Sequence, residues 1–146
     1  MQTGVQYIYQ ADFLTRGWRG IADFLERVEQ PSALGAWSYV VLDTKLARHP
    51  RPEHALQLCF YTHCVGEIQK LEPAVAYIVL GTKERIPIRI GDVSAYYRRL
   101  QQRFQSAVAS RTPTVPYPVE HCSICDFRSG CDDQWEREDH LVVVPR

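Results

Sequence analysis

Hydrophobic and polar positions first alternate in short runs. Residues 5–13, Val-Gln-Tyr-Ile-Tyr-Gln-Ala-Asp-Phe, are rich in β-branched and aromatic types and predict a strand. Thr15-Arg16-Gly17 supplies a turn, and residues 18–28 predict a second strand. A third is expected over 37–46, where Trp37, Tyr39, Val40, Val41 and Leu42 fall together. The link 29–36 carries Pro31, Ser32 and Gly35, a loop composition. These three strands are expected to form an antiparallel meander.

The period then changes. Over residues 53–72, Leu58, Thr62, Val65, Ile68 and Leu71 or Glu72 follow helical spacing, and Pro73 ends the run. The continuous apolar run Ala74–Leu80, bounded by Gly81, suits a buried strand. Glu84–Arg89 is expected to pair with it across Gly81-Thr82-Lys83. Gly91 or Asp92 can cap a second helix running to about Ala109, and Thr112–Pro118 then breaks regular structure. A strand, a helix and a further buried strand imply one crossover onto a shared sheet. The expected fold class is therefore α/β, with a mixed β-sheet flanked by helices and a C-terminal cysteine-bearing tail.

Composition narrows this little. At 146 residues the chain fits one core, and 45% hydrophobic with 23% charged residues is ordinary for a globular protein. Seventeen basic side chains balance seventeen acidic ones. That gives no global electrostatic case for a nucleic-acid partner, although a basic groove can hide inside a neutral total. No run approaches the roughly 20 apolar residues of a membrane helix, so no membrane partner is expected. The N-terminus carries no basic-then-apolar leader pattern. Three of the five cysteines fall between 122 and 131, which favours metal ligation over a disulfide framework and a reducing, cytoplasmic location. There is no Walker phosphate loop and no Gly-x-Ser-x-Gly elbow, which argues against ATP hydrolysis and serine-hydrolase chemistry.

Asp43 and Lys45 lie two apart on a predicted strand and share a face, while Thr44 points the other way. Burying an acid and a lysine beside Val-Val-Leu is costly unless they pair or hold a cation. Asp23 lies on the preceding strand, and pairing about the 29–36 loop brings it toward Asp43. Two carboxylates and a backbone carbonyl make an oxygen-rich site suited to Mg2+ or Mn2+, with Lys45 placed to orient a water or offset charge. Gly20 permits close approach of another backbone or of a substrate. The plainer alternative is a surface ion pair with Asp23 facing solvent.

Gln57 and Tyr61 share one face of the next helix. They can bond or stack on nucleic acid, or serve as a helix-start residue and a core-rim aromatic. Cys59 and Cys64 read as small buried hydrophobes. Cys122-xx-Cys125 resembles a metal knuckle, to which Cys131 and either His121 or His140 would add ligands for zinc; the alternative is three free thiols. Tyr96, Tyr97, Arg98, Arg99, Gln102 and Arg103 form an aromatic and basic stretch, read as a solvated helix face or as a backbone contact for nucleic acid.

Together, Gly20-xx-Asp23, Asp43-x-Lys45, Gln57-xxx-Tyr61 and Cys122-xx-Cys125-xxxxx-Cys131 resemble the RecB-like nucleases of the PD-(D/E)xK superfamily, in the branch related to CRISPR-associated iron–sulfur exonucleases. Trp18–Arg27 and Tyr39–Arg48 are similar to that branch along their whole length, and the likeness covers about 5 to 140. The resemblance implies a restriction-endonuclease-like core over 1–111 and a cysteine-cluster tail over 112–146. It gives Asp23 and Asp43 the role of metal ligands, with the Thr44 carbonyl completing the shell, and Lys45 a catalytic role. It places Gln57 and Tyr61 against nucleic acid, and Cys122, Cys125 and Cys131 on a 4Fe-4S cluster. In that family a helix precedes the first strand, with a histidine near the metal and a fourth cysteine upstream. The chain is thus expected to be a fragment lacking that helix, with further domains of a longer protein as partners.

The function so implied is a Mg2+- or Mn2+-dependent DNA nuclease, a single-strand exonuclease. The alternatives are a nucleic-acid-binding module without turnover and a zinc- or iron–sulfur-stabilised interaction domain.

Overall fold

The computed structural model describes residues 1–15, 17–110 and 114–143. The chain divides into two compact units, Met1–Gln105 and Ser106–Arg146. Arg16, in the expected first turn, and Thr112 and Pro113, in the expected break, lie outside the described residues, as does the boundary expected at 111.

The first unit is built on five strands: β1 (Tyr7–Thr15), β2 (Trp18–Val28), β3 (Ser38–Lys45), β4 (Val75–Leu80) and β5 (Arg85–Arg89). Helix α1 (Pro52–Gln69) connects β3 to β4, and α2 (Ile90–Ser110) starts directly after β5. The sheet order is the chain order, β1-β2-β3-β4-β5, with β3–β4 parallel and the other pairs antiparallel. This is the mixed α/β sheet that the hydrophobic pattern predicts. A parallel pair needs a crossover, and α1 provides it. Pro87 sits on β5, an edge strand, where the missing N–H is tolerated.

The core lies between the sheet and α1. Leu25, Tyr39, Val41, Ala76 and Ile78 from the sheet meet Leu58, Cys59, Cys64 and Val65 from the helix. Burial holds both helix thiols in the neutral form, pushing Cys59 up and Cys64 up to about 11. Ile68, expected on the buried face, is instead 48% exposed, and Gln69 takes the inward position. The Gln69 amide is fully used: its Oε1 accepts the Tyr39 N–H (2.8 Å), and its Nε2 donates to the carbonyls of Tyr39 (3.2 Å) and Leu71 (2.8 Å). A side chain thus pairs with the start of β3 as a strand would. The helix closes at Lys70, in the left-handed region at φ 55°.

The β1–β2 hairpin changes phase midway. On one side Ile8 and Leu25 face the core; on the other Ala11, Phe13 and Ala22 do. Strict alternation cannot place both sets inward. The switch falls at Gln10, whose φ of 49° is unusual for a residue with a side chain, at the register position opposite Asp23. Gln10 and Asp23 are absent from an otherwise continuous ladder.

The second unit contains a short 3-10 helix (Glu120–Ile124), α3 (Arg128–Arg137) and a final 3-10 turn (Leu141–Val143). Residues 114–119 form no regular element. Among the described residues of this unit only Trp135 is buried, and its indole N–H donates to the Pro116 carbonyl at 2.9 Å. No helix among the described residues is long and apolar enough to cross a membrane.

Candidate active site

The sheet forks within β3. Ser38 to Leu42 pair with β2, and Leu42 to Lys45 pair with β4. Beyond Leu42, β3 parts from β2 and leaves a crevice at a change of strand partners, the kind of place where α/β sheets accept ligands. Asp23 stands at this fork. Its Oδ2 accepts both the backbone N–H of Thr44 (2.8 Å) and the Thr44 hydroxyl (2.5 Å), replacing the ladder bond that the parting strands give up.

Asp43 faces the opposite side from Thr44. It is 1% exposed, and neither carboxylate oxygen accepts a hydrogen bond of good geometry among the described residues. Its partner is the Lys45 ammonium, an ion pair in which the lysine keeps 23% of its side chain exposed. Burial pushes the Asp43 carboxyl up; Lys45 opposes this, Asp23 adds to it, and the imidazole of His54 works with Lys45. The two carboxylates therefore feel each other, and the buried one lacks enough positive charge and hydrogen bonding to offset its desolvation. A divalent cation is what such an oxygen pair accommodates, and Asp23 and Asp43 fit one on this ground.

Gln57 and Tyr61 lie on the same face of α1, and the Gln57 Nε2 donates to the Tyr61 hydroxyl at 3.0 Å. The Tyr61 ring is buried against Phe13 and Phe60. Gly20 serves this packing rather than a backbone approach: a Cβ there would sit 2.5 Å from Phe60 and 2.8 Å from Tyr61. The glycine lets two aromatic rings of α1 lie on β2 beside the fork.

His54 escaped the sequence reading. It occupies the first turn of α1, where its Nδ1 accepts the Arg51 N–H at 3.2 Å. In the neutral ring this leaves Nε2 as the protonated nitrogen, a donor. A histidine opening the helix that follows an acid-x-lysine strand was the available signal.

The C-terminal cysteines lie in the second unit. Cys122 lies in the 3-10 helix, Cys125 just after it and Cys131 in α3, all half-buried and free. The Cys122 sulfur accepts the Val119 N–H at 3.3 Å. Among the described residues no three His, Cys, Asp or Glu side chains are grouped to hold a metal ion; this holds for Cys122, Cys125 and Cys131 with His121 and His140, and at the fork, where Asp23 and Asp43 are two.

A family model for the PD-(D/E)XK nuclease superfamily matches residues 5–132. The chain belongs to that superfamily. No curated protein matches it. PD-(D/E)XK nucleases commonly use divalent metal ions, and the match covers the fork, Gln57, Tyr61 and all three C-terminal cysteines. In this PD-(D/E)XK chain the acid-x-lysine tripeptide is Asp43-Thr44-Lys45, on the strand that changes partners.

Proposed function

We propose that the chain is a Mg2+- or Mn2+-dependent DNA nuclease that hydrolyses phosphodiester bonds at the fork of β2 and β3, acting as an exonuclease on single strands. The buried Asp43 carboxylate carries this reading, because Lys45 is its ion partner, Asp23 is a neighbouring charge, and among the described residues no hydrogen bond of good geometry reaches its oxygens. Asp23 and Asp43 would hold the ion, with the Thr44 carbonyl beside them, and the ion supplies polarisation of the scissile phosphate and a more acidic water. Lys45, partly exposed, orients the attacking water and offsets the charge that grows on the phosphoryl oxygens. Asp43 holds the Lys45 ammonium in place. Gln57, fixed through the Tyr61 hydroxyl, lines the approach and meets the strand's polar edge.

The RecB-like assignment, with its relation to CRISPR-associated iron–sulfur exonucleases and hence the preference for single strands and ends, rests on the resemblance of Trp18–Arg27 and Tyr39–Arg48. The 4Fe-4S or zinc site at Cys122, Cys125 and Cys131 rests on it too. Those thiols are not grouped as a metal site here, so they receive no step in the reaction. The test is cleavage of end-labelled single-stranded DNA, with Mg2+ or Mn2+ and with chelator, by the wild type, Lys45→Ala and Asp43→Asn. Ion-dependent cleavage lost in both variants supports the site; equal activity in all three rejects it.

A second reading, binding without turnover, is favoured by one observation. Asp23 already spends Oδ2 on two bonds from Thr44, which leaves one oxygen for an ion. Retention of DNA with no cleavage at any Mn2+ concentration selects it.

A further inference from the structure

Beside the fork, two adjoining cavities of about 360 and 230 Å3 share Trp18, Phe60 and Gln101 as lining and make one open groove between β2, α1 and α2. Its wall on α2 is laid out at helical spacing. Tyr97, Leu100 and Phe104 form an apolar row, and Arg98, Gln102 and Gln105 form a polar row beside it. Trp18 stacks at 5.2 Å from Phe104 and 6.4 Å from Phe60, both tilted, yet Phe104 remains 56% exposed. The free faces of these rings therefore open to solvent.

The polar part of the lining is selective. It contains Thr15, Arg19, Arg98, His63 and three glutamine amides; Arg19 is paired with Asp12 at 3.0 Å and His63 lies 3.7 Å from Glu67, both acids standing outside the lining. Helix α2 carries Arg98, Arg99 and Arg103 against the single acid Asp92. Flat aromatic faces, amides that can both donate and accept, and the guanidinium of Arg98 suit a flat heterocycle on an anionic backbone. An apolar protein segment would need no such polar row.

The groove and the fork lie along the same strand, β2. Phe60 lies over Gly20, three residues along β2 from Asp23, and its neighbour Tyr61 holds Gln57. We propose that this groove is a stacking subsite for unpaired nucleobases of the strand presented to the fork, so that base faces, rather than duplex shape, select the substrate. The proposal rests on the nuclease reading only for the identity of that strand. A duplex keeps its base faces stacked on one another and cannot offer them to Trp18 and Phe104.

The experiment measures binding in chelator, where no cleavage occurs. Oligothymidylate of roughly twelve nucleotides, an abasic strand of equal length and charge, and a duplex are titrated while tryptophan fluorescence is followed. Wild type should bind thymidylate about five-fold or more tighter than the abasic strand, and Phe104→Ala should remove that margin while leaving abasic and duplex binding unchanged. Phe104 is exposed on a helix, so this variant keeps the fold, and Trp18→Phe should retain most of the margin. Equal affinity of wild type for thymidylate and abasic strands overturns the proposal. So does self-association that Phe104→Ala relieves without any base preference, which assigns the groove to a second copy. The two readings fail separately. Wild-type-like cleavage of single strands by Phe104→Ala removes the subsite and leaves the nuclease, whereas base-selective binding with no cleavage by the wild type removes the nuclease and leaves the subsite.

Discussion

Asp23 is bonded to Thr44 twice, through the backbone N–H and the hydroxyl, and both bonds end on one carboxylate oxygen. The acid thus holds two parting strands together at the point where it is proposed to bind an ion. Its structural and chemical roles can be separated by substitution. Asp23→Ala should lower stability by about 1–2 kcal/mol, since hydrogen bonds to a charged acceptor are lost at a partly exposed place. Asp23→Asn keeps an acceptor for Thr44 and should cost less than half of that. Both should lose ion-dependent cleavage alike. Urea melts and cleavage assays on the pair check this, and an Asn variant as unstable as the Ala variant contradicts the bonding described.

Asp43 should behave in the opposite sense. Burial raises its carboxyl, so the folded chain keeps that proton to higher pH than the unfolded chain does. The stability this gives is complete below the ordinary carboxylate range and is lost as pH rises through the raised native value. Asp43→Asn cannot ionise. In chelator it should match the wild type at acid pH and become more stable by about 1 kcal/mol at neutral pH, the lower end of the cost of an unsatisfied buried group. Cleavage should fall about a hundred-fold or more. Thermal melts across pH decide it, and a neutral-pH loss of stability in Asp43→Asn counts against a buried carboxylate whose desolvation Lys45 only partly offsets.

Gly20 is a packing residue next to the fork. Gly20→Ala forces a methyl group into Phe60 and Tyr61 and should cost about 1–3 kcal/mol through overpacking. Combining it with Phe60→Leu should recover part of the loss, because the nearest ring is then gone. Non-additive melting temperatures in this double-mutant cycle are the expected result.

Gln69 is the costliest single amide to remove. Gln69→Leu preserves size but leaves the Tyr39 N–H and the carbonyls of Tyr39 and Leu71 without their partner. A loss of about 3 kcal/mol is expected. Gln69→Glu should be no better, since it sets an oxygen against both carbonyls. Denaturant melts report the loss, and hydrogen exchange at Tyr39 localises it.

Much of the fold was legible because its signals are local. The strands over 18–28 and 85–89, the crossover helix and the hairpin across Gly81 follow from period and punctuation alone. Pairing about the 29–36 loop was legible too, and the observed register runs from Val28 opposite Ser38 to Phe24 opposite Leu42, one residue short of Asp23 and Asp43. What escaped depends on distant partners. The left-handed turn at Gln10 is a property of the hairpin rather than of glutamine. Ile68 and Gln69 differ by one position on α1, and only the unpaired start of β3 makes the polar residue the better one to bury. Helix α3 spans a charged segment with one buried tryptophan, which offers no clear apolar stripe. The groove at Trp18 needs three elements to exist, and its residues look like ordinary helix-face and strand residues until they meet.

The agreement of sheet order with chain order also sets a timetable. Strand pairs between direct neighbours form over short hairpin loops, with little loop-closure entropy. The exception is β3 with β4, which must wait for α1, and the residues it joins are Leu42 to Lys45. Asp43 to Lys45, past the point where β3 leaves β2, take β4 as their ladder partner, so they lose that pairing when β4 loosens. A weakening change buried in β4 should therefore disorder the acid-x-lysine segment in a molecule whose β1, β2 and early β3 are still in register.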